Sequence, residues 1–256
     1  MLPFIKNVVR KLRRISILDL LYIHLYKFWA PDISSIIAKY TPSDGTIIQI
    51  GSNDGKSGDP LYSFIMKNKK SKAIFVEPVP YCFNKLKAHY GDDPRFAFEN
   101  AAVNNGSKMT FYIVKEDAKV KYPDLPYWYD QLGSFNRSHI ANHLNGILDP
   151  YIEEVELQGI SLDNLLFKYS IFSIDLLHID TEGYDWEILK QLRLTKYFPR
   201  LIIFEHKHLS PSEKNASLAF LANDYLIFNF GNDYLSIKKE IINGLDILKL
   251  RTKLIK

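Results

Sequence analysis

Three absences limit what this chain can be. It has a single cysteine, Cys82, so it can form no internal disulfide, and we expect a reducing, cytoplasmic compartment. No apolar run approaches the ~20 residues that a membrane-spanning helix needs. The excess of positive charge is only +4 over 256 residues, so extensive nucleic-acid binding is not favoured. The overall composition, with 46% hydrophobic and 24% charged residues, is typical of one large globular domain.

The N-terminal segment differs in character from the rest of the chain. Residues 1–18 contain five lysines and arginines and no acid, with apolar residues at helical spacing between them. Such a basic amphipathic helix packs on its own domain, lies on the anionic inner membrane, or acts as a transit peptide, and the pattern leaves all three interpretations open. Further helix is predicted over 18–40, with a restart at Asp32. We therefore predict a helical segment over 1–42 and a main domain over 43–256.

From residue 46 onward, apolar strands alternate with helices. Strands are predicted over 46–50, 73–77, 96–98, 110–114, 154–160, 175–180, 200–205, 225–229 and 234–238, and helices over 59–69, 80–90, 161–169, 184–193 and 211–222. This alternation predicts an α/β fold with a mostly parallel, doubly wound sheet covered on both faces. A short turn joins the last two strands, which predicts an antiparallel hairpin at the sheet edge.

A glycine-rich loop follows the first predicted strand. It consists of Gly51, Ser52, Asn53, Asp54 and Gly55, and the next strand ends in Glu77. In open α/β sheets, such a loop and an acid at the neighbouring strand tip hold a nucleoside, whose ribose hydroxyls the acid accepts. The spacing lacks the G-x-G-x-x-G of dinucleotide sites, and Asp54 would repel a pyrophosphate. The cationic S-adenosylmethionine therefore fits better than NAD, although an ordinary βα turn has the same local pattern.

Titratable residues also follow two later strands. They are Asp180 and Glu182 after the first, and Glu205, His206 and His208 after the second. We expect these residues to face the same crevice as the glycine-rich loop, because ligands of such sheets bind at the carboxyl ends of the strands. An N-cap role for Asp180 and surface positions for the histidines are the alternatives.

The segment over residues 115–150 has neither strand nor helix period. It is rich in aromatic residues, among them Tyr127, Trp128 and Phe135. Long insertions in compact domains are usually functional, and Tyr and Trp rings suit the C–H faces of a sugar. The rings could equally close the sheet edge or form a dimer contact. We predict substrate binding by Tyr127, Trp128, Ser134, Phe135 and His208.

Seven segments, taken in order, carry a family resemblance: IQIGSNDG, FVEPVP, ENAAV, GSF, VELQGISLDNLL, DLLHIDTEGYDWEIL and LIIFEH. Together they resemble the FkbM family of S-adenosylmethionine-dependent methyltransferases over about residues 46–210. The resemblance implies a Rossmann-like class I methyltransferase that acts on a hydroxyl oxygen. It places the cofactor on Gly51, Asn53, Gly55, Glu77, Asn100, Ala101 and Asp180, and we add Ser52, Asp54 and Pro78 to the predicted site.

The same resemblance places Asp180 closest to the transferred methyl group, with Glu182 beside it. His178 stands where many relatives carry lysine. The acceptor hydroxyl needs a base, and His206 is the first candidate because unperturbed histidine titrates near pH ~6.5, with His178 and His208 as weaker ones. The alternative is Mg²⁺ held by the oxygen ligands Asp180, Glu182 and Glu205.

We therefore expect O-methylation of a sugar or glycan hydroxyl, for example in a bacterial surface polysaccharide. A natural product, RNA or protein acceptor is the alternative, and the loop spacing disfavours an NAD-linked sugar oxidoreductase. Peripheral contact with the inner membrane through residues 1–18 would suit a membrane-linked acceptor. The sequence sets no oligomeric state.

Overall fold

The computed structural model describes residues 31–255, which form ten strands and nine α-helices. The strands are β1 (Thr46–Ile50), β2 (Lys72–Val76), β3 (Phe96–Glu99), β4 (Ala102–Val103), β5 (Lys108–Val114), β6 (Ile152–Ile160), β7 (Leu176–Ile179), β8 (Leu201–Glu205), β9 (Tyr225–Phe230) and β10 (Asp233–Lys238). The helices are α1 (Ile33–Tyr40), α2 (Tyr62–Lys67), α3 (Pro80–Tyr90), α4 (Ala118–Lys121), α5 (Arg137–Ala141), α6 (Leu162–Lys168), α7 (Asp185–Leu189), α8 (Pro211–Leu221) and α9 (Gly244–Lys249). Short 3₁₀ turns cover His143–Gly146 and Asp149–Tyr151.

Seven of the strands form one sheet in the order β3-β2-β1-β7-β8-β10-β9. Neighbours are parallel from β3 to β8, and β10 runs antiparallel to both β8 and β9. The order reverses between β1 and β7, so the loops after these two strands open away from each other and leave a crevice. The predicted doubly wound sheet with a terminal hairpin is confirmed.

Two apolar cores cover the two faces of this sheet. Along β1, Ile48 and Ile50 pack into one core and Ile47 into the other, as the two-residue period of a strand requires. All three are almost fully buried, and burial of such a side chain contributes about 1.5–3 kcal/mol. Burial on both faces explains why the strands read as continuous apolar runs.

Two of the predicted strands do not join the main sheet. β5 pairs antiparallel with β6 along its whole length, and β6 also pairs with the short β4, which was not predicted. Together they form a separate three-stranded sheet. The chain between β5 and β6 is the predicted aromatic insertion, so this small sheet is the base that carries it.

The insertion has an apolar core of its own. Buried residues include Val114, Leu125, Tyr129 and Ile140, with Trp128 packed against them. The Tyr112–Ser134 bridge fastens the segment to the edge of β5. Some of the aromatic residues of the insertion therefore pack in its own core.

The described part of the N-terminal segment packs on the main domain. Asp32 caps α1 by accepting a hydrogen bond from the Ser35 amide at 2.7 Å, which confirms a helix start at the predicted position. The helix predicted before it, over residues 18–30, lies outside the described residues. Ile36 and Ile37 are buried in one of the two main cores. The predicted basic helix over residues 1–18 lies outside the described residues. Within residues 31–255, no helix is both long and apolar enough to cross a bilayer.

Candidate active site

The site begins where the tips of β1 and β7 meet. Gly51 follows β1 with a left-handed backbone (φ +78°), and a Cβ atom placed on it would lie 1.7 Å from the carbonyl oxygen of Asp180. Only glycine fits there, because it alone lacks that atom and adopts positive φ without penalty. The amides of Gly51 and Ser52 donate to the carbonyl of Val76 at 2.9 and 3.0 Å. The glycine-rich loop is thereby held against both neighbouring strands.

Glu77 is the fixed acid at the tip of β2. Its carboxylate accepts hydrogen bonds from the amides of Asn53 at 2.7 Å and Val79 at 2.9 Å. Burial raises the pKa of Glu77 to about 7, although the two amides pull it down. Asn100 donates to the carbonyls of Glu77 at 2.8 Å and Pro78 at 3.1 Å, so it positions this turn. A buried carboxyl group is thus presented next to the glycine-rich loop.

A cleft opens between these strand tips, and we call it the strand-tip cleft. Six of the predicted cofactor residues line it: Gly51, Asn53, Glu77, Pro78, Ala101 and Asp180. Phe111, Gln131 and Gly133 from the small sheet and the insertion form the opposite wall. These three were not predicted, because their placement depends on the β5–β6 pairing.

The other four predicted cofactor residues, Ser52, Asp54, Gly55 and Asn100, do not line this cleft. The Ser52 hydroxyl donates to the Gln49 carbonyl at 3.1 Å, and Asn100 holds the β2 turn. A Cβ atom on Gly55 would lie 2.4 Å from Leu86, so its smallness serves packing on α3.

Asp54 does not line the cleft, so the prediction that its charge repels a pyrophosphate there is wrong. Its carboxylate accepts from the amides of Lys56 at 2.9 Å and Ser57 at 2.8 Å, within its own loop. Burial would raise the pKa of Asp54, but its hydrogen bonds with Ser57 and Lys56 outweigh this effect and lower it. The acids that line the cleft are Glu77, Asp180 and Glu182, so a pyrophosphate there would meet these groups in their ionised forms, and not Asp54.

Buried acids crowd the tips of β7 and β8. The pKa of Asp180 is raised well above its usual range by burial and then by the nearby charges of Glu182 and Glu205. Burial, followed by Glu182 and Asp185, raises the pKa of Glu205 to about 9. Burial would also raise the pKa of Glu182, but contacts with His139 and other histidines outweigh it and lower it. Such a site favours a cation, which offsets the mutual repulsion.

Asp185 ties these tips together and was not predicted as a site residue. It is fully buried at the start of α7. It accepts hydrogen bonds from the Thr181 hydroxyl at 3.0 Å and from the Glu205 amide at 3.1 Å. Burial raises its pKa to about 7. The side chain fixes the loop after β7 to the end of β8, and its role is positioning.

A second cavity, which we call the insertion cavity, adjoins the strand-tip cleft. Its lining includes the polar side chains of Ser134, Asn136, His139, Asn142, Glu182 and His208. Phe135 and Glu182 line both spaces, so they stand at the junction. Phe135 also contacts Tyr184, with the ring centroids 4.5 Å apart. The predicted substrate residues Ser134, Phe135 and His208 thus come together beside Glu182.

Four other predicted residues lie elsewhere. The His206 ring stacks on Tyr234, with 3.7 Å between ring centroids, and lines neither space. His178 is buried within β7, and burial lowers its pKa to about 4, so it is neutral near pH 7. Tyr127 is 64% exposed, and Trp128 packs on the core of the insertion. None of the four lines the strand-tip cleft or the insertion cavity.

The predicted metal ligands are only partly brought together. Among the described residues, Glu182 and Glu205 group with His208, and Asp180 belongs to no such group. His139, His143 and His208 form a second group, which was not predicted as a site. The one signal in the sequence was the spacing of His139 and His143, four residues apart, but the segment shows no helix period that would have placed them on one face.

Comparisons with known proteins found one family and several solved structures that this chain is similar to. The sequence matches the family described as "Methyltransferase FkbM domain" over residues 49–248. A methyltransferase from Geobacter sulfurreducens is 10% identical, with a TM-score of 0.42 over 80% of this chain and 75% of that one. Precorrin-6y C5,15-methyltransferase from Geobacter metallireducens GS-15 is also 10% identical, with a TM-score of 0.38 over 80% and 84%. No match was found among curated proteins. The family match covers most of the chain, which therefore belongs to the FkbM methyltransferase family.

Proposed function

We propose that this protein is an S-adenosylmethionine-dependent O-methyltransferase that acts on a hydroxyl group of a sugar or glycan. The observation that carries the proposal is the strand-tip cleft, in which the buried carboxyl group of Glu77 stands beside the open backbone of the glycine-rich loop. A carboxylate in this position suits the two hydroxyls of a ribose.

The charge of the cleft supports a cationic cofactor. Glu77, Asp180 and Glu182 all line it, and the described lining contains no lysine or arginine. A pyrophosphate would meet like charge there, whereas a sulfonium and an ammonium group would be attracted. S-adenosylmethionine, when bound, supplies a methyl group activated by its positive sulfur. Glu77 and Asn53 would hold its nucleoside, and Ala101 and Pro78 would flank the base.

The chain's own contribution to the chemistry is to orient the acceptor hydroxyl and to take its proton. Asp180 is the candidate base, because it lines the cleft. Burial and neighbouring acids raise its pKa, so it is a stronger proton acceptor than an ordinary carboxylate once it is ionised, and a cation bound in the cleft favours the ionised form. His206, the first candidate from the sequence, stacks on Tyr234 away from both spaces and is replaced in this role.

The insertion cavity suits a sugar acceptor. It combines the rings of Phe135 and Tyr184 with the hydroxyl and amide groups of Ser134 and Asn136. Aromatic faces pack on the C–H faces of sugars, and the polar groups can bond their hydroxyls. Because Phe135 and Glu182 line both spaces, an acceptor in this cavity would approach the cleft at Asp180 and Glu182.

The proposal is tested by transfer of a labelled methyl group from S-adenosylmethionine to a panel of mono- and oligosaccharides, with the products hydrolysed and examined for O-methyl sugars. Asp180→Asn should lose about 10²–10⁴ in turnover, the usual contribution of a general base. The matched control is Asp163→Asn. Asp163 is a solvent-exposed acid on α6, and it pairs with Arg193 at 2.9 Å. Methylation of RNA or protein with no labelled sugar, or full activity in Asp180→Asn, would refute the proposal.

A further inference from the structure

Three histidines converge at the edge of the insertion cavity, and we call them the histidine cluster: His139, His143 and His208. His139 lies on α5, His143 begins the following 3₁₀ turn, and His208 follows β8. The ring centroids are 4.6 Å apart for His139 and His143, and 4.4 Å apart for His139 and His208. One nitrogen of each ring lies within 4.8 Å of the corresponding nitrogens of the other two. Two distant parts of the chain thus place three imidazoles around one point.

The nitrogens of the cluster are available as ligands. His143 Nδ1 lies 2.7 Å from the carbonyl oxygen of His139, and since a carbonyl only accepts, Nδ1 carries the proton. In the neutral ring, Nε2 then carries the lone pair. A backbone carbonyl that fixes the tautomer in this way is the usual partner of a metal-binding histidine. The Nε2 atoms of His139 and His208 are buried and face the carboxylate of Glu182.

Glu182 brings a carboxylate to two of the three rings. Its Oε2 lies 2.9 Å from His139 Nε2 and 3.5 Å from His208 Nε2. Glu182 is also one of the few non-glycine residues with a left-handed backbone (φ +53°), and its carbonyl accepts from the Ser134 hydroxyl at 3.1 Å. Such a conformation costs about 1–3 kcal/mol and persists where the surroundings require it, often at functional sites.

We propose that His139, His143, His208 and Glu182 bind one divalent transition-metal ion, with Zn²⁺ as the ion that best suits the ligands. Imidazole nitrogens select Zn²⁺ and its neighbours, whereas Mg²⁺ prefers oxygen ligands. The site therefore differs from the Mg²⁺ site predicted from the sequence, both in its ligands and in its ion.

The position of the ion suggests its use, and this step rests on the proposed function. Glu182 lines both the insertion cavity and the strand-tip cleft, so the ion would stand beside the junction of the two. Three histidines would leave the fourth position of a tetrahedral Zn²⁺ ion to an oxygen ligand, either the Glu182 carboxylate or the acceptor hydroxyl in its place. The ion would lower the pKa of the hydroxyl that it binds. The acceptor hydroxyl would bind the ion through its oxygen, and its proton would pass to the carboxylate of Asp180, which lines the cleft beside Glu182. The C–S bond of the cofactor would break as the new C–O bond forms, and the electron pair would leave with the sulfur.

Metal binding can be measured without cofactor or acceptor. Full-length protein is freed of metal with EDTA, dialysed, and titrated with Zn²⁺ and separately with Mg²⁺ in a calorimeter. We expect one Zn²⁺ per chain with micromolar or tighter affinity, and no heat from Mg²⁺ at the same concentrations. His143→Gln should weaken Zn²⁺ binding by about 100-fold or more, because a ligand is lost. Buried Cys82 is the only cysteine, so it offers no competing thiolate site.

The matched control is His89→Gln, since His89 lies on α3 and belongs to neither metal group. Near-UV circular dichroism identifies any misfolded variant, and Glu182→Gln serves as a second test of the ligand set. Absence of Zn²⁺ binding to the wild type, or equal losses in His143→Gln and His89→Gln, would overturn the inference. S-adenosylhomocysteine is titrated into the same proteins. If the protein binds S-adenosylhomocysteine but not Zn²⁺, only the metal site is refuted. If it binds Zn²⁺ but not S-adenosylhomocysteine, only the proposed function is refuted.

Discussion

Replacing Gly51 with alanine should destabilise the protein far more than a glycine change at an open turn. The new Cβ atom would lie 1.7 Å from the carbonyl oxygen of Asp180, which is backbone and cannot rotate away. A left-handed backbone costs a non-glycine residue about 1–2 kcal/mol, and overpacking adds about 1–3 kcal/mol. We therefore expect a loss of about 2–5 kcal/mol in the free energy of unfolding. The tips of β1 and β7 must also separate, so S-adenosylhomocysteine binding should fall by at least about tenfold.

The control is Gly231→Ala, in the turn between β9 and β10. Gly231 also has positive φ (+85°), but nothing lies within 4 Å of its added Cβ atom. This variant carries only the backbone cost, about 1–2 kcal/mol, and should bind S-adenosylhomocysteine like the wild type. Urea denaturation of both variants at pH 7 gives the two free energies. Equal losses, or unchanged cofactor affinity in Gly51→Ala, would refute the close approach of the two strand tips.

Three further predictions follow from the buried acids and the N-terminal segment. Burial raises the pKa of Glu77 from 4.5 to about 7, so its stabilising contribution is complete below pH 4.5 and is lost as the pH rises through 7. The free energy of unfolding of the wild type, compared with that of Glu77→Gln, should fall by up to about 3 kcal/mol between pH 4.5 and 8. A difference between the two proteins that does not change with pH would contradict this prediction. Asp185→Ala should cost about 2–4 kcal/mol in the same assay, because the half-buried Thr181 hydroxyl and the buried Glu205 amide lose their acceptor; a loss below about 1 kcal/mol would contradict it. Removal of residues 1–18 should move the protein from the membrane to the soluble fraction, and an unchanged distribution would exclude that helix as an anchor.

The central sheet and its acids could be predicted from the sequence, because both depend on local pattern. A strand buried on both faces is a continuous apolar run, and Glu77, Asp180 and Glu205 come directly at or after the ends of such runs. In a parallel sheet the chain direction alone decides that these ends share one edge. No long-range information is needed to place the three carboxyl groups together.

The rest of the site depends on contacts that the local pattern does not contain. Nothing near β5 indicates that it pairs with β6, which lies about 40 residues later and outside the main sheet. That pairing carries the insertion over the strand tips and so brings His139 to Glu182. The position of His206 outside the site, while His208 lies in it, has a similar cause. The chain bends after β8, and the direction of each ring depends on that bend, which the sequence does not reveal.

The most direct test of the account is calorimetric titration of S-adenosylhomocysteine into wild type, Glu77→Gln and Glu99→Gln, with NADH as the control ligand. Glu99 ends the neighbouring strand β3 but pairs with Lys168 at 2.6 Å and does not line the cleft. We predict that S-adenosylhomocysteine binds the wild type and Glu99→Gln with micromolar affinity and that NADH does not bind. Binding to Glu77→Gln should be at least about tenfold weaker, because a charge-assisted hydrogen bond contributes about 1.5–3 kcal/mol. Preference for NADH, or equal affinity in all three proteins, would contradict the assignment of the strand-tip cleft as a methyl-donor site.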